Sequence, residues 1–369
     1  MTLREDTRTV LTLDAGGTNF VFSALQGGQA ILEPLTLPSQ GHDLEACLGV
    51  LVEGFGTLAA RLETPLVALS FAFPGPADYP AGIIGDLANL PSFRGGVPLG
   101  PFLEARFRVP VFINNDGDLF AYGEAMAGLL PEMNDALAAA GSARRYRNLF
   151  GITLGTGFGG GLVVDGRIYR GDTASGAEIW SLRHRLHRDW TAEEGASIRG
   201  LRRRYAEGAG IPLDESPEPK VLRAIALGET PGNLDAAREA FRCLGVVVGD
   251  ALAHILCVTD SLVVIGGGLS GAAALFLPAL MEELNGSLAT QEGEPKARLE
   301  SHVYNLEAPL ERAGFLVDNP QWLSVPGTSQ RVPYDPIKRL GLGLSRLGTS
   351  RAVALGAWAF ALTELDRAH

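Results

Sequence analysis

Three glycine-rich stretches, each closing an apolar run, hold most of the residues in this chain that could do chemistry. They are "VLTLDAGGTNFVF" at 10–22, "ITLGTGFGGGLVV" at 152–164 and "SLVVIGGGLSG" at 261–271. Glycine at a strand tip lets the backbone approach an anion closely, and successive amides can point into it. The expected guest is a triphosphate, cradled by Gly16, Gly17, Thr18, Thr156, Gly157, Gly266, Gly267 and Gly268, with the two threonines adding hydroxyl donors. A carboxylate beside a phosphate is repelled unless a cation stands between them. Asp14 therefore reads as an organiser of Mg²⁺ acting through metal-bound water. The plainer alternatives are a turn cap on the Gly16 or Gly17 amide for Asp14, and a simple tight hairpin for any one cluster. A Walker loop is excluded, because no Lys followed by Ser or Thr comes after a glycine cluster. "GTGFGGG" contains G-x-G-x-x-G but runs into the strand-like "LVVDG", where a dinucleotide fingerprint needs a helix.

The elements that must carry these turns alternate between strand and helix. Strand-like runs fall at 8–14, 19–25 and 30–36, a helical stretch at 44–62, and a buried strand, "LVALSFAF", at 66–73. "FLEARF" predicts a helix, "VPVFIN" a strand and "DGDLFAYGEAMAGLL" another helix, a pattern that specifies an α/β fold. The polar "PEMNDALAAAGSARRYRN" at 131–148 then separates two halves. The second half opens like the first, with strand, glycine turn and strand. This predicts a duplicated unit, one per domain, whose glycine tips face each other across a cleft. Residues 234–257 place Phe241, Leu244, Val248, Ala251 and Ile255 on one helical face, and "RAVALGAWAFALTEL" forms a final helix. The Pro, Gly and Arg-rich region at 304–349 is assigned no element.

A chain of 369 residues is too long for one ordinary core and suits two domains. With 46% hydrophobic and 20% charged residues it has globular composition. The net charge of -11, with lysine only at Lys220, Lys296 and Lys338, opposes nucleic acid and anionic membrane as partners and favours small molecules. The start offers no secretory apolar stretch, and "CLGVVVGDALAHILCV" at 243–258 carries Asp250 and His254, so the expected location is cytoplasmic. Cys47, Cys243 and Cys257 form no paired motif and are expected to be buried, reduced thiols. The cluster "RRYR" at 144–147 is a candidate subunit contact of a homodimer, against the default of a solvated surface.

In this order, "LDAGGTNF", "FAFPGPAD", "NLPSFRGGVPL", "VPVFINNDGDLFAYGE", "TLGTGFGGG", "GAEI", "VVIGGGLS" and "AVALGAWAFAL" resemble the ROK family of sugar kinases and sugar-responsive repressors. The resemblance implies an actin-like, ribonuclease-H-type two-domain fold in which ATP and sugar meet in the interdomain cleft. The expected division is a small sugar- and phosphate-binding domain at 1–116 plus 350–369 and a large nucleotide-binding domain at 117–349. By the same resemblance Asp116 is the catalytic base and Asn115 a sugar contact, although Asp116 could also cap the helix that follows it. Asn89, Glu178 and Glu193 would complete the sugar site, with Gly75 beside it; Glu194 lies one residue from Glu193.

These readings imply an ATP- and Mg²⁺-dependent kinase that phosphorylates a hexose hydroxyl, O6 of a sugar such as glucose. The competing reading is a non-catalytic sugar-sensing regulator or scaffold; the family's repressors carry a DNA-binding domain ahead of the first glycine turn, and with Asp14 so near the first residue of the sequence none is expected here. Two departures bear on the sugar. The family's Glu-x-Gly-His element appears as "EIWS", placing Ser181 where a histidine is expected and Trp180 where a glycine is, and the cysteine-rich zinc element after it is absent. No structural zinc is expected, and His184 and His187, among three arginines, read as a solvated face.

Overall fold

The computed structural model describes residues 5–85 and 92–367. In its first sheet, β1 (Thr9–Ala15), β2 (Asn19–Gln26) and β3 (Gln29–Ala30) form an antiparallel meander, and β4 (Leu35–Pro38) also pairs with β2. Helix α1 (Leu44–Ala59) leads to β5 (Leu66–Ala72), and α2 (Leu99–Phe107) leads to β6 (Val111–Asn114). β5 runs parallel to both β1 and β6, giving the order β3-β2-β1-β5-β6. After α3 (Asp116–Ala127) and α4 (Leu129–Ala139) the same plan begins again with β7 (Leu149–Leu154), β8 (Phe158–Val164) and β9 (Arg167–Ile168). Helices α5 (Ile198–Ala209), α6 (Pro219–Leu227) and α7 (Leu234–Thr259) precede β10 (Leu262–Gly266). Then follow α8 (Ala273–Asn285), β11 (His302–Asn305), α9 (Pro309–Leu316), β12 (Arg339–Leu344) and α10 (Thr349–Arg367). The second sheet has the order β9-β8-β7-β10-β12-β11, which is the first order with one strand added at the edge. The repeat read from two glycine hairpins is thus a repeat of whole sheets.

The chain divides into two compact units, one of residues 1–128, 161–177 and 347–369, the other of 129–160 and 178–346. In the first unit β1 lies between β2 and β5 and is buried from Thr9 through Leu13, because both faces of a central strand are covered. Phe22, Phe55, Phe71 and Phe73 meet in sequence edge to face or tilted, with ring centroids 5.0, 5.6 and 6.3 Å apart. Each fully buried phenylalanine contributes roughly 1.5–3 kcal/mol, so the strand ends are held on a stiff core. α3 and α10 pack backbone to backbone: a Cβ on Gly123 would land on the Ala352 carbonyl, and one on Gly356 on the Leu119 carbonyl.

In the second unit α7 is the central helix. By length and composition it could cross a membrane, yet Phe241, Leu244, Val248 and Ala251 are buried against neighbouring elements, and Ile255 is half-buried. Gly245 and Gly249 allow α8 to approach at Phe276 and Leu280. Buried Asp250 is met by Arg298, which also binds Glu283 at 2.6 Å.

Several local expectations change. The expected strand at 30–36 is split between β3 and β4. The polar segment at 131–148 begins with α4, whose buried Leu129, Leu130, Met133 and Leu137 form a narrow apolar stripe hidden by its polar residues. The unassigned region at 304–349 contains α9, an exposed hairpin of Gln321–Ser324 with Arg331–Tyr334, and β12. The "RRYR" cluster braces this region rather than standing free: Arg144 binds Asp318 and the Phe315 carbonyl at 2.6 Å, and the Tyr146 ring stacks on Phe315 at 5.4 Å. Cys47 and Cys243 are buried as expected, whereas Cys257 is exposed near the end of α7.

Candidate active site

In the first unit a cavity of about 240 Å³ opens at the C-terminal ends of β1 and β5, where ligands of parallel sheets characteristically bind. Asp14, Gly17, Phe73, Asp116 and Ser350 are among the residues that line it. Asp14 is the first exposed residue after the buried run of β1. The Gly16 amide closes the turn on the Asn19 carbonyl at 3.0 Å, and a Cβ on Gly16 would lie 2.9 Å from that oxygen. Around Gly17, by contrast, nothing comes within 4 Å of a Cβ position, so the turn is open there. Ser39 fixes its far side, donating its hydroxyl to the Gly17 carbonyl at 2.7 Å and its amide to the Thr18 carbonyl at 2.9 Å.

Asp116 reaches the same cavity from the first turn of α3. The helix cap is Asn115, not Asp116: Asn115 Oδ1 accepts from the Gly117 amide at 2.8 Å, and Asp116 Oδ1 shares that donor at 2.8 Å. Asn115 Nδ2 lies 3.5 Å from the Tyr79 hydroxyl, which donates to the Phe73 carbonyl at 3.0 Å. With the cap supplied one residue earlier, Asp116 is placed for another role. Asp116 is exposed within the cavity, where partial desolvation by the surrounding walls raises its pKa, the Gly117 amide opposes that shift, and the nearby Asp14 carboxylate adds to it. The start of α3 is further fixed by Gly161, where a Cβ would strike the Gly117 carbonyl, and by Arg170, which donates to Asn114 Oδ1 and covers the Phe360 ring.

Gly75 sits in the loop after β5, exposed, with a cis peptide to Pro76. Asn89 lies outside the described residues. Thr349 and Ser350 also line the cavity, and sequence reading gave them no role. Their signal was present, since a Thr-Ser pair ahead of an apolar run marks a helix start.

In the second unit the Gly155 amide closes the second turn on the Gly157 carbonyl at 3.0 Å. The carboxylate at this turn comes from elsewhere in the chain: Glu193 Oε2 accepts from the Phe158 amide at 3.0 Å and would lie 2.9 Å from a Cβ on Gly157. Glu194, one residue on, pairs instead with Arg199 and with Arg203 at 2.7 Å, which lowers its pKa. Thr156 is exposed at the tip. The third turn packs under the second, because Gly267, at φ +87°, has its Cβ position on the Leu154 backbone. Gly266 ends β10 buried, and Gly268 is exposed with open space around it.

Glu178 is exposed and clamped by Trp180 and Ser181. Its carboxylate accepts from the Trp180 indole N–H, and its carbonyl accepts from the Ser181 hydroxyl at 2.8 Å. His184 departs from expectation: it is 5% exposed, inside a folded loop rather than on a solvated face. Among the described residues no group of three or more His, Cys, Asp or Glu is assembled to hold a metal.

A family model described as the ROK family matches residues 10–318. The chain belongs to the ROK family. It is 27% identical over 277 residues to the N-acetyl-D-glucosamine kinase of Aliivibrio salmonicida (strain LFI1238), covering 71% of this chain and 85% of that protein. It is also 27% identical over 300 residues to the glucokinase of Thermotoga maritima, covering 74% and 86%. The crystal structure of a glucokinase from Parabacteroides distasonis ATCC 8503 superposes with a TM-score of 0.89 at 52% identity, over 98% of this chain and 99% of that one. The fold of this ROK protein is the actin-like, ribonuclease-H-type α/β class that its motifs implied.

Proposed function

We propose that this protein is an ATP-dependent sugar kinase that transfers the γ-phosphoryl group to the primary hydroxyl of a hexose, with Asp116 as the general base. The observation that carries this reading is the shared cavity of Asp14, Gly17 and Asp116, and the upward direction in which desolvation moves the Asp116 pKa agrees with it. A carboxylate with a raised pKa is a better proton acceptor, and a sugar hydroxyl is a poor nucleophile until its proton has somewhere to go. In the proposed step Asp116 takes that proton as the oxygen bonds to the γ-phosphorus and the bond to ADP breaks. The protein otherwise supplies alignment, through the open Gly17 turn held by Ser39.

Asp14 fits Mg²⁺ through its chemistry: a hard oxygen donor, exposed in the cavity beside a second carboxylate, suits an ion that keeps several of its own waters. When bound there the ion would neutralise phosphate charge. Asn115, Glu178 and Glu193, with Gly75 and Asn89, are assigned to the sugar by their positions in the motifs. The named relatives act on glucose and on N-acetylglucosamine, which share a primary hydroxyl. ATP as a co-substrate and the buried thiols fit the cytoplasm. Burial pushes the Cys47 thiol up to about 11, which leaves it inert.

The test is ADP release by purified protein with ATP, Mg²⁺ and a panel of glucose, N-acetylglucosamine and mannose. Sugar-dependent ADP release with phosphate recovered on O6 is expected. Sugar binding without ADP release would contradict the proposal and point to a sensor.

A further inference from the structure

His184 is buried at 5% exposure in a loop rich in charge, and both of its ring edges are committed. Nδ1 accepts from the Leu186 amide at 3.0 Å and the His187 amide at 3.1 Å. On the other edge, a Cβ on Gly195 would strike Nε2, so Gly195 and the ring occupy adjoining space. The loop is knotted around this ring by its own backbone: His184 donates its amide to the Trp190 carbonyl at 2.9 Å, and Ala192 donates to Leu182 at 2.6 Å. Outside, His187 stacks on Trp190 with centroids 4.0 Å apart, and the Arg203 guanidinium lies 5.5 Å from the Trp190 ring centroid. The segment that leaves this knot, Ala192 to Gly195, carries Glu193 onto the Phe158 amide at the second glycine turn.

We infer that His184 is a positioning residue for Glu193, acting as an internal acceptor that folds the 182–196 loop so that the Glu193 carboxylate meets the Gly155–Gly157 turn. The inference rests on the reading of Glu193 as a sugar ligand. Two backbone amides in a buried loop need an acceptor, and without one the loop must open to water. Glu193 would then lose its fixed direction while the β7 and β8 strands keep theirs.

Asparagine and glutamine separate this role from mere bulk. An asparagine side-chain oxygen sits where Nδ1 sits and can accept from both amides, whereas a glutamine oxygen reaches one carbon further, toward the Nε2 position. With glucose and ATP, His184→Gln is expected to raise the glucose KM roughly tenfold or more while kcat changes by less than about threefold, and His184→Asn is expected to stay near wild type. Glu193→Gln should raise the glucose KM similarly, and the double variant His184→Gln/Glu193→Gln should be no worse than Glu193→Gln alone, because the histidine acts through the glutamate. If His184→Gln does not fold, Trp190→Ala, which strips the outer stack and leaves His184 in place, carries the same expectation. Additive effects in the double variant, or a loss in His184→Asn equal to that in His184→Gln, would overturn the inference while leaving the reading of Glu193 intact. An unchanged glucose KM in Glu193→Gln would overturn both.

Discussion

The two glycine turns that open the two sheets occupy equivalent places in the same topology, yet they acquire their acids differently. At the first turn the acid is part of the strand: Asp14 ends the buried run of β1, and the turn beyond it is open at Gly17. At the second turn the strand ends in Leu154, and the acid is Glu193, delivered by a loop folded around a histidine. The second turn is also packed from below, by Gly267 against Leu154. Sheet topology therefore fixes where a turn stands, while the source of its carboxylate decides what the turn can do. An acid on a strand end is rigid and suited to organising charge. One on a loop can be adapted to a substrate without disturbing the sheet.

The largest contrast should come from packing. Gly267→Ala forces a side chain onto the Leu154 backbone at φ +87° and should cost about 3 kcal/mol or more, whereas Gly17→Ala enters open space and should change stability by less than about 0.5 kcal/mol. Equal losses in denaturant midpoint would erase the distinction between a packed and an open turn. The next contrast is kinetic. Asp14→Asn is expected to lower kcat by roughly 10²-fold, as for loss of a charge-organising group, while Glu193→Gln should act on the sugar KM by about tenfold. If both changed the same constant, the two acids would share one role.

A smaller effect should appear in stability against pH. Burial, and secondarily His187, lowers the His184 pKa from 6.5 to about 4, against the opposing pull of Glu194 and Asp250. The unfolded chain then binds more protons than the folded one between these values. The contribution of neutral His184 to stability is complete above about pH 6.5 and is lost as the pH falls toward 4. Thermal unfolding followed from pH 7 to 4 should show this loss in the wild type and a weaker one in His184→Asn.

The sequence carried the architecture well because its signals were local. Strand, glycine turn and strand recurred at two places, and each recurrence marked a whole sheet. Asp14, Gly17 and Asp116 stand in one cavity because a buried strand and a capped helix both end there, and each end is written in a few neighbouring residues. What was hidden is what depends on distant partners. Cap assignment slipped by one residue at Asn115, since two adjacent side chains can serve the same Gly117 amide. His184 looked solvated among arginines because nothing in "LRHRLHRDW" says that the loop closes on its own histidine. α4 was masked by Glu132, Asn134 and Asp135, which lie between its buried leucines and methionine. Thr349 and Ser350 were legible as a helix start, but their place beside Asp116 follows from the glycine contacts between α3 and α10.

The most direct test of the central claim is the Asp116→Asn variant, assayed for sugar-dependent ADP release and, separately, for glucose binding by calorimetry. The predicted result is a kcat lowered roughly 10²-fold or more with a glucose Kd within about threefold of wild type, because the amide keeps the shape of the site and cannot accept the proton. Turnover at the wild-type rate in that variant would contradict the assignment of Asp116 as the base.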